Sequence, residues 1–427
     1  MVNKTPEKII IIPPELVDVT GFMPIIDHKM FQRLDGKHQT GLLYKIYRGA
    51  NHTRFEHSVG VFGIAQNMAM VLGLNEEESR AVQAYALLHD IAHIPFSHNI
   101  EPLLSERHNT KADEFLAEFK EALEKSGINY DLFLAIARKG KDRNPLSKLV
   151  KHGVVGADKL DYMFRDPHHI GRKDMPDTAN LIRYLVFDGK ELMVEEKNDN
   201  EVMRTMNLYY DLHTFFYYIK QYLINQRILQ RAVQESLDAG YMQEGRLYEW
   251  VDSDLESHLL NSESSFIREL FDTIRHRGDT YKSLVVFRLR GYESQERIAG
   301  KPFSVYPISE EAKDKFLSQE GFGTPRLLTS LERDIERELK FPDGTFLVTT
   351  ILDFDRLSQP ADVLLYSKDG SRTSLFERYP IHKQRLLDIA NQNFSIRVAV
   401  RDSIRAELHK EAEKIKGYIE DRLRDIK

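Results

Sequence analysis

HDIAHIPFSH, residues 89–98, puts three histidines and an aspartate into ten positions. Around it the density stays high: His52, His57, His89, His93, His98 and His108 crowd between residues 52 and 108. Apolar periodicity through Ala81, Tyr85, Leu88 and Ala92 predicts a helix over 76–92. Asn75 serves as its N-cap and Glu76–Glu78 as its acidic first turn. On that helix the neighbours Tyr85, Ala86, Leu87, Leu88, Ile91 and Ala92 offer His89 and Asp90 no polar partner. Burying an uncompensated carboxylate costs on the order of several kcal/mol. A bound cation would remove that cost.

Other arms for such a cation lie on either side. Phe55, Val59, Phe62 and Ala65 to Met70 recur at helical spacing, so His57 sits on a preceding helix whose periodic face should pack on this one. Asp158, in VVGADKLDYMFRD, lies early in a helical stretch over 145–166. His57, His89, Asp90 and Asp158 would reach one divalent ion from three helices. Such nitrogen and oxygen donors suit Fe, Mn, Zn, Ni or Mg. The chain has no cysteine, which excludes thiolate sites, a cysteine nucleophile and disulfides. A zinc-protease helix also spaces two histidines four apart, as His89 and His93 are, but it needs Glu after the first, and Asp90 stands there. A lone buried histidine is more often a hydrogen-bonded core residue, and His52 and His152 are read so.

At 427 residues the chain exceeds one ordinary core. Its texture divides it into an all-α part, 1–245, and a smaller α+β part, 246–427, so the fold class is mostly α. In the first part a hairpin is expected at 184–187 and 191–196, turned at Asp188-Gly189, before a long helix over 199–239. In the second, strands are expected at 283–290, 345–351, 362–366, 373–376 and 395–400. Helices are expected near 264–276, 325–340 and 381–391, with a charged helical tail over 402–425. The net charge is −6 and the pI near 6.3, which argues against non-specific nucleic-acid binding. Ile9–Ile12 is too short an apolar run for a membrane span, and Pro13-Pro14 stops it. A cytoplasmic setting is the expectation.

HTRFEHSVG (52–60), HDIAHIPFSH (89–98) and GADKLDYMFRDPHHIG (156–171) together resemble the three core motifs of HD-domain phosphohydrolases. More narrowly they resemble the deoxynucleoside triphosphate triphosphohydrolases. FQRL (31–34), IRHRGDTYK (274–282) and DGTFLVTTILDFD (343–355) extend the likeness over most of the chain. The resemblance implies an HD-type helical domain that hydrolyses a dNTP to deoxynucleoside and inorganic triphosphate. It assigns the metal to His57, His89, Asp90 and Asp158. It makes His98 the proton donor, Glu101 its acidic partner, and Arg54, His93, His108 and Lys159 phosphate contacts. Tyr162 lines the pocket, and Gln39 with Asp166 grips the sugar 3′-hydroxyl. It also implies a homo-oligomer, dimer or tetramer.

The chemistry agrees with those roles. A triphosphate needs several cationic donors. The attacking water needs activation by a metal, and the departing alkoxide needs a proton that an imidazole can give. Departures from the family pattern leave base and sugar choice open. Thr40 stands beside the sugar position. In 212–226 the base-closing residues lie among His213, Tyr218, Lys220 and Tyr222. Asp27 and Gln32 match activator-reading positions, but Asp35 replaces a basic partner. A second ion held by His93, His98 and His108 also stays open. Two alternatives remain: an HD phosphohydrolase acting on a nucleoside monophosphate or phosphodiester, and a catalytically silent nucleotide or nucleic-acid binder.

Overall fold

The computed structural model describes residues 8–105, 108–140, 143–296 and 299–426, with the backbone alone for 108–110. A hairpin of β1 (Ile9–Ile12) and β2 (Glu15–Asp18) opens it, with Pro13-Pro14 at the turn. Helix α1 (Arg54–Val71) starts where the Thr53 hydroxyl accepts the Glu56 amide. Helix α2 (Glu76–Leu88) begins at the Asn75–Glu78 capping box. Helix α1 packs against both α2 and α3 (Ala157–His169). Gly60 permits the second crossing: a Cβ there would stand 2.0 Å from Asp161 Oδ1.

The expected hairpin forms as β3 (Leu185–Phe187) and β4 (Leu192–Glu195), with Gly189 at φ +89° in the turn. Helices α4 (Asp199–Leu212) and α5 (Lys220–Asp238) follow. The second part adds α6 (Ser265–His276), β5 (Tyr281–Leu289), β6 (Ser304–Ile308), α7 (Pro325–Leu339) and β7 (Phe346–Thr349). It ends with β8 (Leu364–Tyr366), β9 (Arg372–Ser374), α8 (Pro380–Asn393), β10 (Ile396–Arg401) and α9 (Ala412–Asp425).

The protein is mostly α, with small sheets concentrated late in the chain. One sheet runs β6-β5-β10-β7, and all of its pairings are antiparallel except β5 with β6. The other runs β3-β4-β8-β9, with β4 parallel to β8. This second sheet draws strands from both sides of residue 245. One buried cluster likewise extends from Val17 and Phe62 to Val398 and Ile419. Among the described residues, no helix is long and apolar enough to cross a membrane.

Several element boundaries differ from expectation. Helix α2 stops at Leu88 rather than 92. Pro95, which has no amide hydrogen, stands where a continuing helix would need the donor for the Ile91 carbonyl; that carbonyl accepts instead from the Arg33 guanidinium, and the His93 carbonyl from Lys37 Nζ. The stretch 145–166 is a 3₁₀ turn, Pro145–Leu149, followed by a loop into α3. At Gly156 a Cβ would meet the His152 amide nitrogen at 2.4 Å. The run 199–239 is broken by a π-helical turn, His213–Tyr217. Strand β9 ends at Ser374, whose hydroxyl caps the short helix Leu375–Arg378. Strand β6 was not expected; its Pro307 and part-exposed pattern mark it as an edge.

Candidate active site

Helices α1, α2 and α3 converge at one point. His57 Nδ1 donates to Asp161 Oδ2 at 2.7 Å, so the ring turns Nε2 toward Asp158 Oδ1, 3.1 Å away, and Asp90 Oδ2, 3.9 Å away. Arg165 holds Asp161 in turn, through Nε at 3.0 Å and a second nitrogen at 2.7 Å. His89 Nδ1 donates to the Ala86 carbonyl at 2.7 Å. In the neutral ring its Nε2 is then an acceptor, and that atom is buried with no hydrogen-bond partner. Among the described residues, the acceptors Asp90 Oδ1, at 3.2 Å, and Asp158 Oδ1, at 3.6 Å, face it. Acceptors converging on an orphaned, buried imidazole nitrogen are resolved by a cation. One ligand atom each from His57, His89 and Asp90 lies within 4.8 Å of the others. The set therefore fits a divalent metal, with the hydrogen bonds to Asp161 and Ala86 fixing both imidazoles.

The charges agree. Burial opposes charge on Asp90, but His89, His93, Arg54 and Lys151 hold it well below the usual carboxylate range. Asp158 is likewise depressed against its burial, chiefly by Lys151 and His57. The His57 imidazole is buried, yet its bonds to Asp158 and Asp161 push it up to about 9. A proton there does part of what a metal would do.

Beside this cluster stands a second one. His98 Nδ1 lies 2.9 Å from Glu101 Oε2, and His93 Nδ1 lies 3.2 Å from Glu101 Oε1. His93 Nε2 reaches back to Asp90 Oδ1 at 3.4 Å. Glu101 is buried, whereas the His98 side chain is 47% exposed and opens on the cavity. Arg54 bridges the groups, bonding Asp90 and, at 2.6 Å, the Ser97 hydroxyl.

His89, Asp90, Asp158, His93, His98, Glu101 and Arg54 line a cavity of about 640 Å³, with His57, Asp161 and Arg165 behind them. Gln39, Thr40, Tyr162 and Asp166 form part of its wall. Asp166 is fixed by His52 Nε2 at 2.7 Å and by the Tyr217 hydroxyl. His52 is thus the hydrogen-bonded core residue expected, and its partner is a site residue. His213, Tyr218 and Tyr222 line the cavity as well, but Lys220 does not; its charged neighbours are Lys301, Glu296, Arg397 and Lys282. Burial drives the His213 ring down to about 3, so it faces the cavity neutral. Lys159 lies behind the wall rather than on it, 3.1 Å from the Tyr209 ring centre, and burial lowers it to about 7. The His108 side chain lies outside the described residues. Gln32 turns to the Ile26 carbonyl, and Asp35 accepts the Thr53 hydroxyl.

Sequence reasoning missed several participants. Lys151, 2.7 Å from Asp158 Oδ2, and Arg143, on the Tyr85 hydroxyl, add positive charge to the wall. Asp353, from the loop after β7, and Arg356, from the short helix Asp355–Ser358, line the cavity as well. The Asp161–Arg165 pair was discoverable: Asp161 is three residues after Asp158 and Arg165 four after Asp161, the spacing of neighbours on one helix face. Nothing local marks Lys151 or Arg356.

The HD domain family model matches residues 54–232, a span that holds every metal-site residue described above. An uncharacterized protein of Methanocaldococcus jannaschii is 30% identical over 271 residues, 62% of this chain and 56% of its own length. The Dictyostelium discoideum deoxynucleoside triphosphate triphosphohydrolase SAMHD1 homolog is 27% identical over 218 residues, covering 46% of this chain and 42% of that protein. The chain spans about half the length of the curated relatives it matches. A crystal structure of a phosphohydrolase from Bacteroides thetaiotaomicron superposes with a TM-score of 0.68 at 21% identity. It covers 92% of this chain and all of that one, and so shares the fold. In the segment that the HD model matches, the His-Asp pair is His89-Asp90, seated at the C-terminal end of α2.

Proposed function

We propose that this HD domain hydrolyses deoxynucleoside triphosphates, releasing deoxynucleoside and inorganic triphosphate. The observation that carries the reading is a shared cavity. His89, Asp90 and Asp158, the His98–Glu101 pair, basic side chains, and Gln39 with Asp166 all line it, and His57 stands behind with Nε2 3.1 Å from Asp158. The relatives named for dNTP hydrolysis support the substrate class.

His57, His89, Asp90 and Asp158 would hold the divalent ion, which supplies Lewis acidity and an activated water when bound. Arg54, Lys139, Arg143, Lys151 and Arg356 offset the charge of a triphosphate on the wall. Glu101 engages His98 Nδ1 and leaves Nε2 to deliver a proton to the departing 5′-oxygen. His93, on the same carboxylate, joins that proton-holding pair to Asp90. The Gln39 amide and Asp166 carboxylate receive the sugar. The buried hydroxyls of Tyr162 and Tyr217 stay protonated and act as donors.

The test is incubation of purified protein with dNTPs and NTPs under several divalent metals, assayed for inorganic triphosphate. Asp90→Ala is the control. Triphosphate formation that disappears in Asp90→Ala is expected. Metal-loaded protein that releases none from any nucleotide overturns the reading. Pyrophosphate or monophosphate release would favour the other HD phosphohydrolase chemistry.

A further inference from the structure

The loop that carries His98 is held in an uncommon shape. Phe96 and Ser97 take φ of +51° and +48°, the left-handed region that side-chain-bearing residues seldom adopt. Neither is glycine, so the conformation needs support from outside the loop. The geometry points to Asp252 as that support, a positioning residue supplied by a helix (Asp252–Leu260) that follows the HD-matching segment.

Asp252 is 3% exposed. Its Oδ1 accepts the Phe96 amide at 2.8 Å. Its Oδ2 accepts the His38 amide at 2.9 Å and lies 2.8 Å from His38 Nδ1. One carboxylate therefore ties the segment entering His98 to the segment entering Gln39. The second segment is fixed further: the Gln39 backbone N–H donates to the His52 carbonyl at 3.0 Å, and His38 stacks on Tyr44 at 3.8 Å. Buried Lys37 completes the knot, its Nζ donating to the His93 carbonyl. The proton donor and the sugar-binding amide are thus spaced by a group that touches neither substrate nor metal. A carboxylate suits the post because it accepts several hydrogen bonds at once, which an amide side chain of the same shape does with one oxygen only.

The inference rests on the hydrolase reading for its kinetic consequence, but its structural content can be measured separately. Full-length, metal-loaded wild type, Asp252→Ala and Asp252→Asn are compared in kcat across pH, bound-metal content and hydrogen–deuterium exchange. Displacing a catalytic group by about 1 Å costs on the order of 100-fold in rate. Asp252→Ala should lose kcat on that scale, together with the pH limb that His98→Ala also removes, while metal content holds. Asp252→Asn, keeping one acceptor oxygen, should fall between. Exchange should rise in peptides covering 93–101 and 36–41 and nowhere else. Wild-type kcat and pH profile in Asp252→Ala overturn the assignment. So does an exchange increase spread over the chain with loss of metal. If wild type hydrolyses no nucleotide, the exchange data still decide: a local rise sustains the Asp252 clamp while the hydrolase reading falls, and unchanged exchange removes the clamp.

Discussion

At the scale of single residues, orientation matters more than identity. His57 and His89 are useful because Asp161 and Ala86 occupy their Nδ1 atoms and leave Nε2 for the shared centre. His98 differs: its Nδ1 is held by Glu101 and the ring opens on the cavity. Replacing His98 with Ala should cut kcat by about 10²–10⁴-fold with bound metal unchanged, read from steady-state rates and elemental analysis. His152 offers a pH prediction away from the metal. Its Nδ1 accepts the Val154 and Val155 amides at 3.1 and 3.2 Å. Burial first, and Lys148 second, depress it from 6.5 to about 4. Its contribution to stability is whole above pH 6.5 and drains as pH falls toward 4, because only the unfolded chain gains the proton in that window. The loss is on the order of 3 kcal/mol. His152→Asn keeps an acceptor without the titration, so urea unfolding of that variant should lose less stability than wild type between pH 6.5 and 4.

At the scale of elements, two features of the helices build the site. One is the close crossing of α1 and α3 at Gly60. Gly60→Ala would drive a methyl into Asp161 and Arg165, 2.0 and 2.1 Å from the added carbon. It should destabilise by about 3 kcal/mol and weaken metal retention, because His57 loses its orienting carboxylate. Thermal unfolding and metal titration would show both effects. The other feature is the early stop of α2. Periodicity marked the helix and its capping box from the sequence, but it carried the helix through residue 92. Pro95 has no amide hydrogen to give the Ile91 carbonyl, and Arg33 and Lys37, far back in the chain, bond the Ile91 and His93 carbonyls. The π-helical turn at His213–Tyr217 is similar. The apolar pattern of 199–239 runs through it unbroken, while the extra residue per turn brings His213 and Tyr217 onto the cavity wall.

At the scale of the whole molecule, the two parts of the chain share their interior. Strand β4 pairs with β8 across the compositional divide at 245. Arg227 and Arg231 on α5 are buried against Glu332 on α7, with contacts of 2.7, 2.8 and 2.9 Å. Removing one member of such a group leaves buried charge unpaired, so Glu332→Ala should cost about 3–5 kcal/mol in chemical denaturation. For the same reason a fragment ending at residue 245 should fail to fold cooperatively, with broad unfolding and exposed apolar surface in dye binding. The cavity is also joint property: Asp353 and Arg356 close it from the second part.

Chemistry that is local along the chain was legible in the sequence. The histidine density, the His89-Asp90 pair, helices α1 and α2, the β3–β4 hairpin and most later strands and helices follow from spacing, caps and turn residues. So does the mostly α class. These signals need only a few neighbouring positions. What remained hidden depends on side chains meeting across long separations. Lys151 on Asp90, Arg356 across the cavity, the two arginines on Glu332, and Asp252 on Phe96 leave no periodic trace. Each lone charged residue reads in sequence as solvated surface, and only folding removes the water and supplies its partner. The stretch HDIAHIPFSH therefore announced the kind of chemistry, and the packing of distant elements around it decided which atoms face one another.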